Sequence, residues 1–292
     1  MFQIISDGGC DFSNDEVAQH NISIVPFYIS FDHTNYIRVG VDISNDEYFN
    51  RLISEKGLFP KTSQPNPQDF VDASAPHLQA GDDVLILTIS SKLSGSYNSA
   101  ALAVHMAKEE YPEQTITVID TLSGSIAQGL ILREAIKMRD AGYSLANTAD
   151  ILRKILQTTR VYFTIDTVEY LRRGGRVGPT TAAVGGILGL RPILHLVEGE
   201  IQQLDNVRGK KNALRLIEEG LVHTLKDETE NINISIGHIR SEEDALTFKA
   251  KTEAALGMTI PNPVTAIGAA IGTHAGPGAL AFAYCRKFDS FK

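Results

Sequence analysis

The residues with the clearest capacity for chemistry lie between positions 84 and 100, in the sequence VLILTISSKLSGSYNSA. The apolar run at its start is typical of a buried strand. It leads into a turn that contains Ser94 and Ser96, and a helix is predicted over residues 97–107. Free backbone N–H groups and the positive end of the helix dipole face the same point, so such a turn can bind an anion. The sequence leaves open which anion it binds and whether the protein does chemistry on it.

Two other side chains could donate to the same ligand. Thr62 lies in the sequence KTSQPNP, where prolines enforce an extended loop. Its hydroxyl either donates to a ligand oxygen or completes a turn. His274 lies among small residues in GTHAGPGA, where it is either a ligand donor or a hydrogen-bonded structural residue. Ser94 and Ser96 themselves could equally be helix caps.

A basic, glycine-rich loop is the third polar element. Residues 168–192 contain four arginines and one carboxylate in a chain of formal net charge -8. Arg172, Arg173 and Arg176 surround two of the glycines. This pattern indicates either a solvated turn or a loop that contacts phosphate or an acidic partner surface. It is not a Walker A loop, because no GxxxxGK[ST] sequence occurs in the chain.

Patterns for catalysis and metal binding are absent from the sequence. The GxSxG nucleophile elbow does not occur, and no histidine or acidic residue lies close to Ser94 in sequence. The eight histidines are scattered, without HExxH or CxxC spacing. The only cysteines, Cys10 and Cys285, are far apart and are expected to be reduced thiols in a cytoplasmic protein. We therefore expect no catalytic residue and no metal site.

Composition excludes several classes of partner. The chain has 292 residues, of which 43% are hydrophobic and 21% charged, as in ordinary globular proteins. A net charge of -8 argues against binding to nucleic acid or to an anionic membrane. Residues 254–285 contain no Asp, Glu, Lys or Arg and could span a bilayer, but prolines and glycines interrupt them. We predict two buried strands there, over residues 264–272 and 279–284, around a glycine-rich turn, and no signal peptide at the N-terminus.

The first half of the chain alternates apolar strands with amphipathic helices, which predicts an α/β fold with a mostly parallel sheet. One predicted strand, over residues 22–30, contains Pro26 and is expected at an edge or a bulge. Polar turns at 6–11, 90–96 and 121–125 each follow a predicted strand. In such sheets ligands bind beyond the carboxyl ends of the strands, so all three turns could lie at one edge.

The second half has a different pattern. A hairpin is predicted over residues 192–206, with further strands and helices that indicate an α+β arrangement with antiparallel or mixed pairing. The sequence predicts two domains, an N-terminal α/β domain over residues 1–160 and a C-terminal α+β domain over residues 161–292.

Several of these stretches together resemble the DegV family of bacterial proteins. They occur in family order and spread over nearly the whole chain. In the first turn, Gly8 stands where the family usually has serine, and the role of this turn stays open. The stretches are SDGGCDFS (6–13), KTSQPNP (61–67), ISSKLSGSYNSA (89–100), VIDTLSGS (118–125), EYLRRGGRVG (169–178), LRPIL (190–194) and GTHAGPGA (272–279).

The resemblance implies a two-domain α/β protein that holds a long-chain fatty acid in a tunnel between its domains. It implies that Thr62 and Ser94 bind the carboxylate and that His274 lies near it. It also implies that the protein presents the fatty acid to a separate ATP-dependent fatty acid kinase, which makes acyl phosphate for phospholipid synthesis. No cofactor and no catalysis by this chain are implied. Candidates for further contact with the head group or the kinase are Ser96, Arg172, Arg173, Arg176 and Arg208.

The residues themselves agree with such a ligand. The charge-free segments 179–190 and 254–285 could line an apolar tunnel. Burial of each acyl CH₂ contributes about 0.8 kcal/mol, so a chain of about sixteen carbons supplies ample driving force. Two alternatives stay open: a serine hydrolase or acyltransferase that uses Ser94 with His274, and a phosphosugar- or nucleotide-binding module. We expect a cytoplasmic protein that binds no nucleic acid and does not insert stably into membranes.

Overall fold

The computed structural model describes residues 2–55, 57–176 and 190–291 of the chain. These residues form a four-stranded, a six-stranded and a three-stranded sheet. The strands are β1 (Phe2–Asp7), β2 (Ser23–Val25), β3 (Tyr28–Ser30), β4 (Ile37–Arg38), β5 (Lys61–Ser63), β6 (Asp83–Thr88), β7 (Ile116–Asp120), β8 (Arg160–Thr164), β9 (Leu190–Val197), β10 (Glu200–Arg208), β11 (Ile232–His238), β12 (Thr265–Ala266) and β13 (Leu280–Arg286). The helices are α1 (Asn14–Gln19), α2 (Asn45–Ser54), α3 (Pro67–Gln79), α4 (Ser96–Glu110), α5 (Ser125–Asp140), α6 (Leu145–Thr158), α7 (Glu169–Arg173), α8 (Lys210–Leu225), α9 (Glu242–Leu256) and α10 (Ala269–Ala275).

The four-stranded sheet is parallel throughout, with strand order β2-β1-β6-β7. Its central strands are buried, as expected for a parallel sheet that helices cover on both faces. Ile5 and Ile86 pack in a cluster with residues of α3 and α4. Ile4 and Leu85 face the other side and pack in a cluster that includes α5. The α/β prediction for the first half is confirmed.

The six-stranded sheet is mixed, with strand order β10-β9-β8-β13-β11-β12. Only β11 and β12 pair in parallel, and the hairpin of β9 and β10 confirms the predicted turn near Gly199. The side chains of β13 alternate in size between the two faces. Ala281 and Ala283 belong to the cluster with α5, whereas Leu280 and Phe282 pack in a second cluster with residues of α8 and α9. The small residues thus leave room on the side that faces the parallel sheet.

Helix α5 lies between the two large sheets. It contacts β1 and β6 on one side and β11 and β13 on the other. Leu130, Ile131 and Ala135 are completely buried in a cluster that also contains residues of both sheets. Twelve of the sixteen residues of α5 are buried, as expected for a helix in an interior position. The two halves of the chain therefore share one hydrophobic cluster, and the predicted boundary near residue 160 stays a prediction.

The predicted strand over residues 22–30 is in fact two strands in different sheets. β2 ends at Val25 and pairs with β1, whereas β3 begins at Tyr28 and pairs with β4 and β5. Pro26 separates them, because proline has no N–H to continue a ladder of hydrogen bonds. Because of this break, β3 leaves the parallel sheet and pairs with β5, which carries Thr62 of the site.

The prediction of a strand over residues 264–272 is wrong. β12 has two residues only, and the helix α10 follows it. The N–H groups of Gly268 and Ala269 donate to the side chains of Asp11 and Asn45, each over 2.9 Å. These distant residues supply the partners that the start of a helix needs. Among the described residues, no helix is long and apolar enough to cross a membrane.

Candidate functional site

The carboxylate of Asp7 joins the turns at the carboxyl edge of the parallel sheet. It is completely buried at the end of β1. One oxygen accepts from the N–H of Ile89 over 2.9 Å and from the hydroxyl of Ser96 over 2.6 Å. The other accepts from the N–H of Gly9 over 3.1 Å and from the amide of Gln128 over 2.9 Å. Burial raises the pKa of Asp7, while its four hydrogen bonds act in the opposite direction.

Asp11, in the same turn, connects the sheet edge to the C-terminal half. It accepts a hydrogen bond from the hydroxyl of Ser125 over 2.5 Å, at the start of α5, and one from the N–H of Gly268. Ser90 donates its N–H to the carbonyl of Ser123 over 2.7 Å. The three polar turns therefore meet at one edge, as predicted. The role of the first turn, which the sequence left open, is to hold the other two.

Ser94 and Ser96 have different roles, and neither is the N-cap of α4. The N-cap is Gly95, without a side-chain hydrogen bond to the helix. Ser96 is buried and donates to Asp7, and it is not among the residues that line the cavity described below. Ser94 lines that cavity, and its hydroxyl oxygen accepts from the N–H of Ser96 over 3.2 Å. The hydrogen of the Ser94 hydroxyl is thus free to donate elsewhere.

Thr62 lies on β5, opposite Ile29 of β3. The prolines of its loop hold the chain extended, and Asn66 then caps α3 through a reciprocal pair of hydrogen bonds with Asp69. The Thr62 hydroxyl oxygen lies 2.8 Å from Nε2 of His274, which α10 carries. The structure thus brings together two residues that are more than two hundred positions apart in the chain.

His274 is partly buried, and it is neutral at physiological pH. Loss of hydration, with a smaller contribution from the charge of Arg176, lowers the pKa of His274 to about 4. Its partner in the described part of the chain is Thr62, and Nδ1 has no hydrogen-bond partner there. A hydrogen bond between His274 and Ser94 does not occur among these residues, so the hydrolase alternative lacks its base contact.

The arginines separate into two groups. Arg176 lines the cavity, and its guanidinium donates to the carbonyl oxygens of Leu93 and Gly174. Arg172 and Arg173 are exposed, outside the cavity lining, and both pair with Glu169. A cation–π contact of 3.8 Å also places Arg173 over the ring of Phe59. Arg208 is exposed at the end of β10 and does not line the cavity.

A cavity of about 510 Å³ lies between the two large sheets, within the range typical of small-molecule sites. Polar side chains line one part of it, and apolar residues of the six-stranded sheet, of α10 and of surrounding loops line the rest. The predicted lining by residues 254–285 is confirmed in part, whereas residues 179–189 lie outside the described residues. The lining residues are Phe27, Thr62, Ser63, Gln64, Pro65, Asn66, Pro67, Ile89, Leu93, Ser94, Gly124, Ser125, Val161, Phe163, Leu171, Arg176, Leu196, Ile201, Ile267, Ala270, Ile271, His274, Ala275, Ala279 and Ala281.

The apolar lining from the six-stranded sheet is the part that sequence reasoning missed. Val161, Phe163, Leu196 and Ile201 lie on neighbouring strands and face the cavity. Apolar residues that alternate along a strand indicate a buried face. The pattern does not distinguish a face that lines a cavity from one that packs in a core. Among the described residues, no group of three or more His, Cys, Asp or Glu could hold a metal ion.

Comparisons with known proteins agree with this architecture. The family model described as "Uncharacterised protein, DegV family" matches residues 1–287. A DegV domain-containing protein of Lactococcus lactis is 31% identical over 289 residues, which cover 98% of each chain. A stearic acid-binding protein from Eubacterium ventriosum has 31% identity and a TM-score of 0.92, over 99% of this chain and 100% of that one. A fatty acid-binding DegV family protein from Thermus thermophilus has 30% identity and a TM-score of 0.87, over 98% and 99%. The chain belongs to the DegV family.

The low pKa of His274 predicts a pH dependence of stability. The folded-state pKa, about 4, lies below the ordinary value of 6.5. As the pH falls below 6.5, the unfolded chain therefore binds the proton first, and stability is lost until the pH reaches about 4. The loss is up to about 1.4 kcal/mol per pH unit, or about 3 kcal/mol over the whole range.

Urea unfolding of the wild type and of His274→Asn at pH 7 and pH 4.5 measures this loss. We expect the wild type to lose about 2–3 kcal/mol more than the variant. Other groups, including Asp7 and Asp11, titrate in both proteins and so cancel in the comparison. Equal losses in the two proteins would contradict the assignment.

Proposed function

We propose that this chain binds one long-chain fatty acid in the cavity between the sheets, with the carboxylate at Thr62, Ser94 and His274. The observation that carries the proposal is one cavity with hydroxyl groups at one part and apolar walls elsewhere. The relatives described as fatty acid-binding proteins support the same ligand. The mostly apolar lining also favours this ligand over a phosphosugar or a nucleotide, which would need more polar partners.

The energetics favour an acyl chain. Burial of each CH₂ contributes about 0.8 kcal/mol, so an acid of about sixteen carbons gains on the order of 10 kcal/mol before the costs of ordering are subtracted. The hydroxyl groups satisfy the carboxylate without enclosing it in an ion pair. Arg176 adds a positive charge beside the site, although two of its nitrogens donate to backbone carbonyls.

The chain acts, in this proposal, as a carrier and not as an enzyme. A separate ATP-dependent fatty acid kinase transfers the γ-phosphoryl group of ATP to a carboxylate oxygen of the bound acid, which gives acyl phosphate and ADP for phospholipid synthesis in the cytoplasm. Arg172, Arg173 and Arg208 are candidates for contact with the kinase because their side chains are exposed. We also propose that the chain divides near residue 160 into the two domains that hold the ligand.

Native mass spectrometry of the protein after bacterial expression tests the ligand. We expect a mass increase that corresponds to one fatty acid, and we expect rebinding after the lipid has been removed. If no fatty acid copurifies and none binds to the delipidated protein, the proposed function is wrong.

Removal of either hydroxyl should weaken binding. We expect Thr62→Val and Ser94→Ala each to lower the affinity for hexadecanoate by about tenfold, because each loses a hydrogen bond to a charged group. Thr224→Val is the matched control, since Thr224 lies exposed on α8. Isothermal titration calorimetry measures the affinities. Wild-type affinity in both Thr62→Val and Ser94→Ala would exclude this placement of the carboxylate.

Enlargement of Ala281 should shorten the preferred acyl chain. Ala281 lines the cavity on β13, and leucine at this position adds three carbon atoms to the space inside. We expect Ala281→Leu to shift the preferred acid by about two or three carbons, because a packed site tolerates little extra volume. A thermal-shift series of acids from ten to twenty carbons measures the preference. Ala254→Leu, at an exposed position of α9, should leave it unchanged.

The exposed arginines should affect phosphoryl transfer and not ligand affinity. We expect Arg172→Ala with Arg173→Ala to bind hexadecanoate like the wild type, because neither side chain lines the cavity. Acyl phosphate formation with a bacterial fatty acid kinase and ATP should fall severalfold, because surface charges steer association. A fall in ligand affinity instead would place these arginines in the binding site.

A further inference from the structure

The two ring nitrogens of His274 have different surroundings. Nε2 lies 2.8 Å from the hydroxyl oxygen of Thr62. Nδ1 is buried and has no hydrogen-bond partner in the described part of the chain. A neutral imidazole carries its proton on one nitrogen only, and the lowered pKa keeps this ring neutral. In one tautomer Nε2–H donates to the Thr62 hydroxyl oxygen. In the other tautomer the Thr62 hydroxyl donates to Nε2.

Gly174 lies directly against Nδ1. A Cβ built on Gly174 would lie 2.1 Å from Nδ1 and 2.8 Å from Cε1, so only the Cα–H bond of a glycine can point there. A Cα–H group is a weak hydrogen-bond donor and is compatible with a lone pair on Nδ1. The N–H of Gly174 already donates to Tyr170, and its carbonyl accepts from Arg176. A proton on Nδ1 would be a buried donor without an acceptor, which folded proteins rarely contain.

Close packing limits how far the backbone before Gly174 can move to relieve a clash. The segment before it packs closely on the loop after α10 through two further glycines. A Cβ at Gly276 would lie 2.3 Å from the Tyr170 ring, and one at Gly278 would lie 2.4 Å from the Asp166 carboxyl group. Any side chain at position 174 would therefore displace the His274 ring.

We propose that Gly174 is a positioning residue that holds His274 as the Nε2–H tautomer, so that His274 donates to Thr62 and Thr62 donates its own hydrogen to the ligand. This inference rests on the proposed function and deepens it. Ser94 likewise accepts from the N–H of Ser96 and keeps its hydrogen free. Both hydroxyls then present donors only, and an acceptor-only head group, the ionised carboxylate, is the form of the fatty acid that fits them.

The tautomer can be measured without any ligand. Long-range ¹H–¹⁵N NMR spectra of the histidine-labelled, delipidated protein distinguish a protonated Nδ1 from a protonated Nε2, and the spectrum of His274→Asn assigns the His274 signals. We expect a protonated Nε2 in the wild type from pH 5 to pH 9. In Gly174→Ala we expect loss of the single tautomer and a pKa closer to the ordinary 6.5. A protonated Nδ1 in the wild type would overturn the inference.

Binding separates a positioning role from a general loss of structure. We expect Gly174→Ala to lower the affinity for hexadecanoate by about tenfold, and to change the affinity for its methyl ester much less, because the ester has no charged group to lose. Gly220→Ala is the matched control, since nothing lies within 4 Å of a Cβ at that position. Unchanged tautomer and affinity in Gly174→Ala would overturn the inference.

A second variant keeps the test independent of the folding of Gly174→Ala. Thr62→Val removes the partner of Nε2 and leaves Gly174 against Nδ1. If Gly174 sets the tautomer, Nδ1 stays unprotonated in this variant, whereas a protonated Nδ1 would refute its role. A wild type that binds no fatty acid would refute the proposed function instead, and the spectra of the free protein would still decide the tautomer.

Discussion

The buried carboxylate of Asp7 is the interaction on which the arrangement of the site depends. Its four donors come from its own turn, from the end of β6, from the start of α4 and from α5. A polar side chain persists in the interior only when hydrogen bonds replace its lost hydration, and the Asp7 side chain meets that condition. The loop that carries Ser94 runs between two of these donors, Ile89 and Ser96. The Asp7 side chain therefore holds both ends of the loop that positions the Ser94 hydroxyl.

Close packing at glycines fixes the other side of the site. Gly95 lies under the amide of Gln64, where a Cβ would lie 2.3 Å from the amide oxygen. The Thr62 loop and the Ser94 turn can approach each other because of this glycine, and Gln64 then donates to Ser99 over 3.2 Å. A residue larger than glycine at this position of the site would therefore not fit against the Gln64 side chain where it lies.

Much of the fold could be predicted from local patterns. Buried strands, the hairpin near Gly199 and the capping boxes that begin with Ser13 and Ser44 each depend on residues close in sequence. The meeting of the polar turns followed from the rule that parallel strands end at one edge. Thr62, Ser94 and His274 line one cavity, and their contact with a carboxylate stays a prediction of the family resemblance.

The remaining features depend on contacts between distant residues. α10 begins where Asp11 and Asn45 supply hydrogen-bond acceptors from the other end of the chain, so its sequence alone resembled a strand. Ser96 could not be distinguished from a helix cap without knowledge that Asp7 lies beside it. Arg176 binds two backbone carbonyls, and nothing in a sequence indicates which carbonyls a long side chain will reach.

The walls of the cavity belong to the hydrophobic clusters that hold the protein together, and this has a consequence for its unfolding. Ala279 and Ala281 line the cavity and pack in the same cluster as α5. An apolar guest would complete that interior, so occupancy and resistance to heat would rise together. A partly loaded sample would then unfold as two populations, the loaded one at the higher temperature. The shape of a melting curve would thereby report the fraction of the protein that has a bound ligand.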